Sequence, residues 1–149
     1  YSQINIHCVF AVKGRENMIT DRFRDNLHKY MSGILRNENA FPLAVGGWRD
    51  HVHVFFELPP NLRVSDLMRD LKAVSSKWIN DNRFVKGKFQ WQEGYGAFSY
   101  SRSQRNNVIQ YIMNQEKHHK GKTFKEEYLD MLIKFKIEFK DEYVFDFYD

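Results

Sequence analysis

The N-terminal stretch of the chain alternates apolar and polar positions with a period of two. Ile4, Ile6, Cys8 and Phe10 fall on one face, and a Lys-Gly-Arg sequence follows at 13–15. Because successive side chains of a strand point to opposite faces, this pattern predicts a first strand that ends in a turn. Three further apolar stretches predict strands, at 41–48, 49–57 and 97–100.

Four other stretches repeat apolar residues every three or four positions, which is the period of an amphipathic helix. Each begins near a residue that commonly caps helix N-termini, and these residues are Thr20, Ser65, Ser103 and Thr123. Thr123 has Glu126 three residues later, which is the spacing of a capping box. We expect the third helix to cover about 104–119 and the last helix about 123–139.

The order strand, helix, strand, strand, helix, strand is that of the ferredoxin-like, split βαβ fold. We therefore predict an α+β protein with one antiparallel sheet, helices on one face of it, and two additional C-terminal helices. The core would span about residues 3–101, and residues 1–149 would form a single domain. In this topology the first and third strands lie at the centre of the sheet.

Composition narrows the function classes without selecting one. The chain has 149 residues, 42% of them hydrophobic, and a net charge of +4, which is compatible with nucleic-acid binding but does not require it. Cys8 is the only cysteine, which excludes an internal disulfide and suits a reducing compartment. No apolar run reaches the length of about 18 residues that a membrane-spanning helix needs, so we expect a cytoplasmic protein.

The third predicted strand begins with the sequence His51-Val52-His53. Residues i and i+2 of a strand share one face, so both imidazoles project from the same side of the sheet. Two imidazoles in that arrangement can bind one metal ion. The alternative is that two ordinary histidines happen to enter a strand, and the motif alone does not exclude it.

The third predicted helix carries Tyr111 and Gln115, four residues apart. Positions i and i+4 lie on one face of a helix, so the hydroxyl and the amide point the same way. Tyrosine is a covalent nucleophile in some enzymes, and an amide oxygen suits a hard divalent cation. The alternative is an amphipathic helix with an interfacial tyrosine and a solvated glutamine.

Together these residues resemble the single-tyrosine HUH transposases of bacterial insertion sequences, the IS200-like family. The resemblance rests on His51-Val52-His53 on a third strand and on Tyr111 followed by Gln115. The segment Trp91-Gln92-Glu93-Gly94-Tyr95-Gly96-Ala97-Phe98-Ser99 is similar to the one that precedes the tyrosine helix in that family. Residues 3–12 and 111–119 also fit, so the resemblance covers nearly the whole chain.

The resemblance implies a role for each motif residue. His51, His53 and Gln115 would be metal ligands, and Tyr111 would be the nucleophile that attacks single-stranded DNA. The products would be a 5′-phosphotyrosine link and a free 3′-hydroxyl, and the reverse reaction would join ends. The metal would be magnesium or manganese in a bacterial or archaeal cell, although zinc or nickel could replace it in a crystal. Members of the family act as homodimers on DNA with hairpin ends.

Further residues are candidates for DNA contacts. Lys72 is the strongest, because it interrupts an apolar helix face, and the others are Arg49, Arg102, Arg105 and Tyr95. For each of these the alternative is an ordinary surface or core side chain. His118 and His119 are expected to stabilise the end of the tyrosine helix rather than to bind metal, and His7 and His28 have no assignable partner.

Two alternative functions fit parts of the sequence. A related HUH nickase that initiates replication or mobilisation would share the chemistry but usually has additional domains. A non-catalytic, ferredoxin-like nucleic-acid-binding module would explain the positive charge and the aromatic residues without Tyr111 or a metal. The aromatic and acidic residues 143–149 have no assigned role.

Overall fold

A computed structural model describes residues 3–119 and 121–134 of the chain. Its strands are β1 (Asn5–Ala11), β2 (Phe41–Gly47), β3 (His51–Glu57) and β4 (Gly96–Tyr100). Its α-helices are α1 (Arg24–Asn37), α2 (Val64–Asp81), α3 (Arg105–Met113), α4 (Gln115–His118) and α5 (Phe124–Lys134). Two short 3-10 turns follow β1 and β4, at Lys13–Arg15 and Arg102–Gln104.

The four strands form one antiparallel sheet in the order β2-β3-β1-β4. This arrangement confirms the predicted α+β fold with β1 and β3 at the centre. In the register of the central pair, Val9 lies opposite His53 and His7 lies opposite Phe55. The histidine strand therefore has a hydrogen-bonded neighbour on each side, which makes it a rigid support for a site.

The period-two pattern divides the sheet into two faces. Cys8 and Phe10 of β1 and Val54 of β3 lie on one face and join the main core with residues of α1 and α2. The opposite face carries His7, His53 and Phe55, and α3 packs there against β2 and β3. Helices thus cover both faces, and the C-terminal helices enclose the face that bears the histidines.

Helix boundaries differ from the sequence prediction at the first two N-termini. The structure shows no side-chain cap on α1 or α2, which begin at Arg24 and Val64. The carbonyl of Thr20 instead accepts hydrogen bonds from the backbone N–H groups of Phe23 and Arg24, so residues 20–23 form a turn ahead of the helix. Packing of the apolar stripe, rather than the cap, sets where these helices begin.

The predicted C-terminal helices are also divided differently. The stretch expected as one helix over 104–119 contains α3 and α4, separated at Asn114 (φ −101°, ψ 22°). Thr123 caps α5 as predicted, because its Oγ1 accepts the Glu126 N–H, and its hydroxyl also donates to Glu126 Oε1. Residues 135–139 of the predicted last helix, and 143–149 beyond it, lie outside the described residues. Within the described ranges no helix is both long and apolar enough to span a membrane.

Candidate functional site

Two histidines of β3 form the base of a buried cluster on the α3 side of the sheet. His51 and His53 are both fully buried, and their ring centroids are 5.1 Å apart. Their Nε2 atoms lie 3.5 Å and 3.1 Å, respectively, from Oε1 of Glu127. The imidazoles of His51 and His53 therefore project from the same side of β3, as the sequence predicted.

The other ring nitrogen of each histidine is held by a second buried residue. His51 Nδ1 donates to Asp50 Oδ1 at 2.7 Å, and a 2.8 Å hydrogen bond joins His53 Nδ1 to His7 Nε2. The rings of His7 and His53 stack with centroids 5.0 Å apart. Partners of this kind fix the orientation of metal-ligating imidazoles in proteins. His7, which had no assignable partner in the sequence, belongs to the site because it lies on the same sheet face.

Helix α5 supplies a buried carboxylate that sequence reasoning missed. Glu127 is only 2% exposed, and its oxygens lie within 4.8 Å of the nearest ring nitrogens of His51 and His53. It sits between the buried residues Phe124 and Tyr128 on the inner side of the helix. An acidic residue on an apolar helix face was the signal that could have identified it.

Tyr111 and Gln115 converge on the same carboxylate. The Tyr111 hydroxyl donates to Glu127 Oε2, and Gln115 Nε2 donates to the same oxygen at 3.0 Å. Gln115 Oε1 accepts a hydrogen bond from His51 Nε2 at 2.9 Å. A single chain therefore brings together all four predicted site residues, even though a helix break separates Tyr111 from Gln115.

His119 also contacts the cluster, beyond the role at a helix end that the sequence suggested. Its Nε2 lies 3.0 Å from Gln115 Oε1, and its Nδ1 lies 2.8 Å from the backbone oxygen of Lys122. Its ring centroid is 4.7 Å from that of His51. His119 thus links the turn after α4 to the histidine strand, whereas the side chain of His118 lies outside the described part of the structure.

Burial and the Glu127 charge shift the ionisation of these groups in different directions. Burial alone would lower the pKa of His51, but hydrogen bonds to Asp50 and Glu127 outweigh it and raise the pKa to about 9. Burial lowers the pKa of His53 in spite of Glu127. Burial, reinforced by the charge of Glu127, raises the pKa of Tyr111, so its hydroxyl stays protonated at neutral pH.

The donor set fits a divalent metal ion. Two imidazole nitrogens, a carboxylate oxygen and an amide oxygen face one another inside the protein, and the remaining imidazole nitrogens are held from behind. Imidazole nitrogens suit zinc, copper, iron and nickel, while the carboxylate and amide oxygens suit magnesium and manganese. His51, His53 and Glu127 are the residues placed to hold such an ion, with Gln115 beside them.

The candidate DNA contacts are scattered rather than gathered into one patch. Lys72 Nζ donates to the backbone oxygens of Gln92 and Gly94, and burial lowers its pKa to about 8. Arg105 donates to Glu57 at 2.7 Å, so it too is engaged within the protein. Tyr95 lies beside Lys72, whereas Arg49 lies over the Trp48 ring and Arg102 lies near Gln3. Lys72 therefore anchors the loop before β4.

The backbones of β2 and α3 approach each other closely at Gly46, and this contact positions the helix that carries Tyr111. A Cβ atom at Gly46 of β2 would lie 2.4 Å from the backbone oxygen of Ile112 and 2.9 Å from its Cγ2. Ile112 is the residue after Tyr111 and is fully buried in a small cluster with Phe55 and Val108. Only a residue without a side chain fits between β2 and α3 at this point.

A family model and a transposase sequence both match most of this chain. The family model described as "Transposase IS200 like" matches residues 1–115, a stretch that includes the histidine pair, Tyr111 and Gln115. The ISDra2 transposase TnpA of Deinococcus radiodurans is 21% identical over 118 residues, which cover 76% of this chain and 84% of that protein.

Two solved structures share the fold. A crystal structure from Deinococcus radiodurans, described as that of a transposase, has a TM-score of 0.61 and 22% identity and covers 77% of this chain and 92% of its own. A REP-associated tyrosine transposase bound to a REP hairpin has a TM-score of 0.59 and 15% identity, covering 80% of this chain and 70% of its own. Residues 124–134, which carry Glu127, lie beyond the family match.

Proposed function

The chain belongs to the IS200-like transposase family, and on that premise we propose that it cleaves and rejoins single-stranded DNA through a covalent bond to Tyr111. One observation carries this proposal. The Tyr111 hydroxyl and the Nε2 atoms of His51 and His53 all meet the carboxylate of Glu127 within one chain. The proposed nucleophile and the proposed metal ligands therefore meet at the buried carboxylate of Glu127.

His51, His53, Glu127 and Gln115 would hold the metal ion. When bound, a divalent ion such as magnesium or manganese would neutralise charge on the scissile phosphate. Glu127 adds a negative charge that the two histidines and the glutamine lack, and this strengthens cation binding in a buried site. His7 and Asp50 orient the two imidazoles from behind.

Tyr111 performs the bond exchange. Its oxygen attacks phosphorus, a P–O bond to tyrosine forms, and the P–O3′ bond breaks to leave a 5′-phosphotyrosine and a free 3′-hydroxyl. Because the tyrosine pKa is raised, the hydroxyl needs an acceptor for its proton, and Glu127 Oε2 already accepts its hydrogen bond. The departing 3′ oxygen takes up a proton from solvent.

Rejoining reverses the same steps. A 3′-hydroxyl attacks the phosphotyrosine, and the P–O3′ bond forms again while Tyr111 recovers its proton. The covalent link conserves the bond energy, so no nucleotide cofactor is required. We further propose that the substrate is a strand with hairpin ends, that the protein acts as a homodimer in the cytoplasm, and that a REP-hairpin-bound structural neighbour represents a related binding mode.

The defining experiment is adduct formation with single-stranded DNA. Oligonucleotides tiled across the DNA that flanks the gene, in both strands, should give a protein–DNA band on denaturing gels when Mn²⁺ or Mg²⁺ is present. EDTA should remove the band, because the phosphate charge is no longer neutralised. Specific DNA binding without any adduct, and without divalent-ion binding that depends on His51 and His53, would support a non-catalytic module instead.

Gly46→Ala should impair the reaction by displacing the tyrosine helix. The added methyl group meets the backbone of Ile112, so we expect a loss of about 1–3 kcal/mol in the free energy of unfolding. A shift of Tyr111 by a fraction of an ångström should slow adduct formation by about tenfold or more. Thermal denaturation and single-turnover adduct kinetics measure the two effects.

The matched control is Gly33→Ala on α1, where an added Cβ would meet no atom within 4 Å. This variant should be at least as stable as the wild type, since alanine favours helices by about 0.5–1 kcal/mol over glycine. Its adduct rate should equal that of the wild type. Equal rates for the two glycine variants would show that the contact between Gly46 and Ile112 does not position Tyr111.

A further inference from the structure

A cavity of about 310 Å³ opens beside Tyr111. Its lining includes Tyr111 and Glu127 from the metal and tyrosine site, together with Tyr100 at the end of β4 and Asn107, Val108 and Met131 from α3 and α5. The cavity is therefore continuous with the point where the phosphate is attacked, but most of its walls take no part in that chemistry.

The cavity is lined by apolar side chains and by the amide of Asn107. Val108 and Met131 are buried, and Tyr100 offers an aromatic ring. Asn107 is exposed on α3, and within the described residues its amide makes no hydrogen bond, so it offers both a donor and an acceptor. An apolar pocket with a few polar groups is the usual construction of a small-molecule subsite.

The charge of the cavity disfavours an anion. Its charged lining residues are Glu127, Asp130 and Lys122, and the Lys122 ammonium is already paired with Asp130. Because Lys122 offsets only one of the two carboxylates, the net charge of the lining is negative and disfavours a phosphate group inside the cavity. A neutral, flat and partly polar ligand fits these walls better.

We propose that this cavity binds one unpaired nucleobase of the strand, next to the phosphate that Tyr111 attacks. This inference rests on the proposed function, because it assumes a single-stranded DNA substrate. Aromatic rings bind bases by stacking, and an asparagine amide pairs with the hydrogen-bonding edge of a base. A base whose edge is already paired cannot present it to Asn107, so the cavity selects an unpaired nucleotide at the cleavage point.

Methionine-methyl NMR on the full chain tests the cavity directly. The chain has five methionines, so ¹³C-methyl labelling gives five signals, of which Met131 reports on the cavity. Titration with each of the four deoxynucleoside 5′-monophosphates at millimolar concentration should shift the Met131 signal in a saturable way. Deoxyribose 5-phosphate, which lacks a base, should leave it unchanged.

Two matched variants locate the contact. Asn107→Leu keeps the number and branching of the side-chain heavy atoms but removes the amide, and it should weaken nucleotide binding about fivefold to tenfold, as expected for one lost hydrogen bond. Asn106→Leu makes the same change at an exposed neighbour on α3 outside the cavity, and it should have no effect. Equal weakening in both variants would overturn the proposal.

The proposal would also be overturned if nucleotides left the Met131 signal unchanged, or if deoxyribose 5-phosphate shifted it equally. The adduct assay of the wild type separates this failure from failure of the proposed function. Adduct formation with a silent Met131 would reject the base pocket and retain the transposase chemistry. A Met131 shift without any adduct would retain a nucleotide site and reject the chemistry.

Discussion

Replacing Tyr111 by phenylalanine is expected to abolish the covalent protein–DNA adduct and to leave the fold intact. The substitution removes only the hydroxyl oxygen, which is the atom that forms the bond to phosphorus. Loss of a unique nucleophile lowers enzymatic rates by several powers of ten, so we expect a reduction of at least about 10³-fold. Denaturing gels with an end-labelled oligonucleotide measure the adduct.

Ion binding should change little in the same variant, and stability should fall only modestly. The ring of Tyr111 retains its packing, and the lost hydrogen bond to the charged Glu127 carboxylate is worth about 1.5–3 kcal/mol. Divalent-ion affinity should therefore remain within a fewfold of the wild type. These expectations distinguish a missing nucleophile from a collapsed site.

Tyr30→Phe is the matched control, because Tyr30 stacks on Trp78 and takes no part in the cluster around Glu127. This variant should form the adduct at the wild-type rate. If Tyr111→Phe still forms the adduct, the nucleophile is another residue, and mass spectrometry of the DNA-linked peptide would identify it. Tyr100, which lines the adjacent cavity, would be the first to examine.

Glu127→Gln is expected to weaken divalent-ion binding by about 10- to 100-fold or more. The substitution keeps the shape of the side chain but removes the only negative charge in the proposed ligand set, and the lost attraction is large because the site is buried. Substitution of a residue that only orients a metal ligand already lowers metal affinity by about 10- to 100-fold. Titration calorimetry with Mn²⁺ measures the affinity directly.

The same substitution should also slow adduct formation at saturating Mn²⁺. Glu127 Oε2 accepts the hydrogen bond of the Tyr111 hydroxyl, and an amide oxygen is a much weaker base than a carboxylate. A rate that is lower even when the ion is bound would separate the role of Glu127 toward Tyr111 from its role toward the metal.

Glu126→Gln provides the control on the same helix. Glu126 is exposed and hydrogen-bonds Thr123 at the start of α5, a position where glutamine serves equally well. Ion affinity and adduct rate should both match the wild type. Unchanged ion affinity in Glu127→Gln, together with a large loss in Gln115→Leu, would make the amide the third ligand and exclude the carboxylate.

Much of the fold was readable because its signals are local. Alternation of Ile6, Cys8 and Phe10 places them on one face of β1 and places His7 and Val9 on the other, whatever the strand pairs with. The order of elements then restricts the topology to a few arrangements, of which the split βαβ is one. The family resemblance added the functional meaning of His51 and His53, which spacing alone left open.

Helix ends and long polar side chains were less predictable. Thr20 and Ser65 have the chemistry of caps, but α1 and α2 begin where their apolar faces meet the sheet. Lys72 interrupts an apolar face, which suggested a DNA contact. The structure shows its amine hydrogen-bonded to the backbone of the loop before β4, and the DNA contact stays a prediction.

The sequence by itself determined that the imidazoles of His51 and His53 share a face, because the period of two is a property of the strand backbone. It also predicted a shared helix face for Tyr111 and Gln115, but the helix breaks at Asn114 between them, so their meeting at Glu127 depends on the tertiary structure. Only the tertiary structure decided that Glu127 joins them. It lies 74 residues from His53, on a helix whose direction depends on the helix break at Asn114 and on the turn that follows α4. No local period encodes that direction, because the packing of Phe124 and Tyr128 against the core sets it.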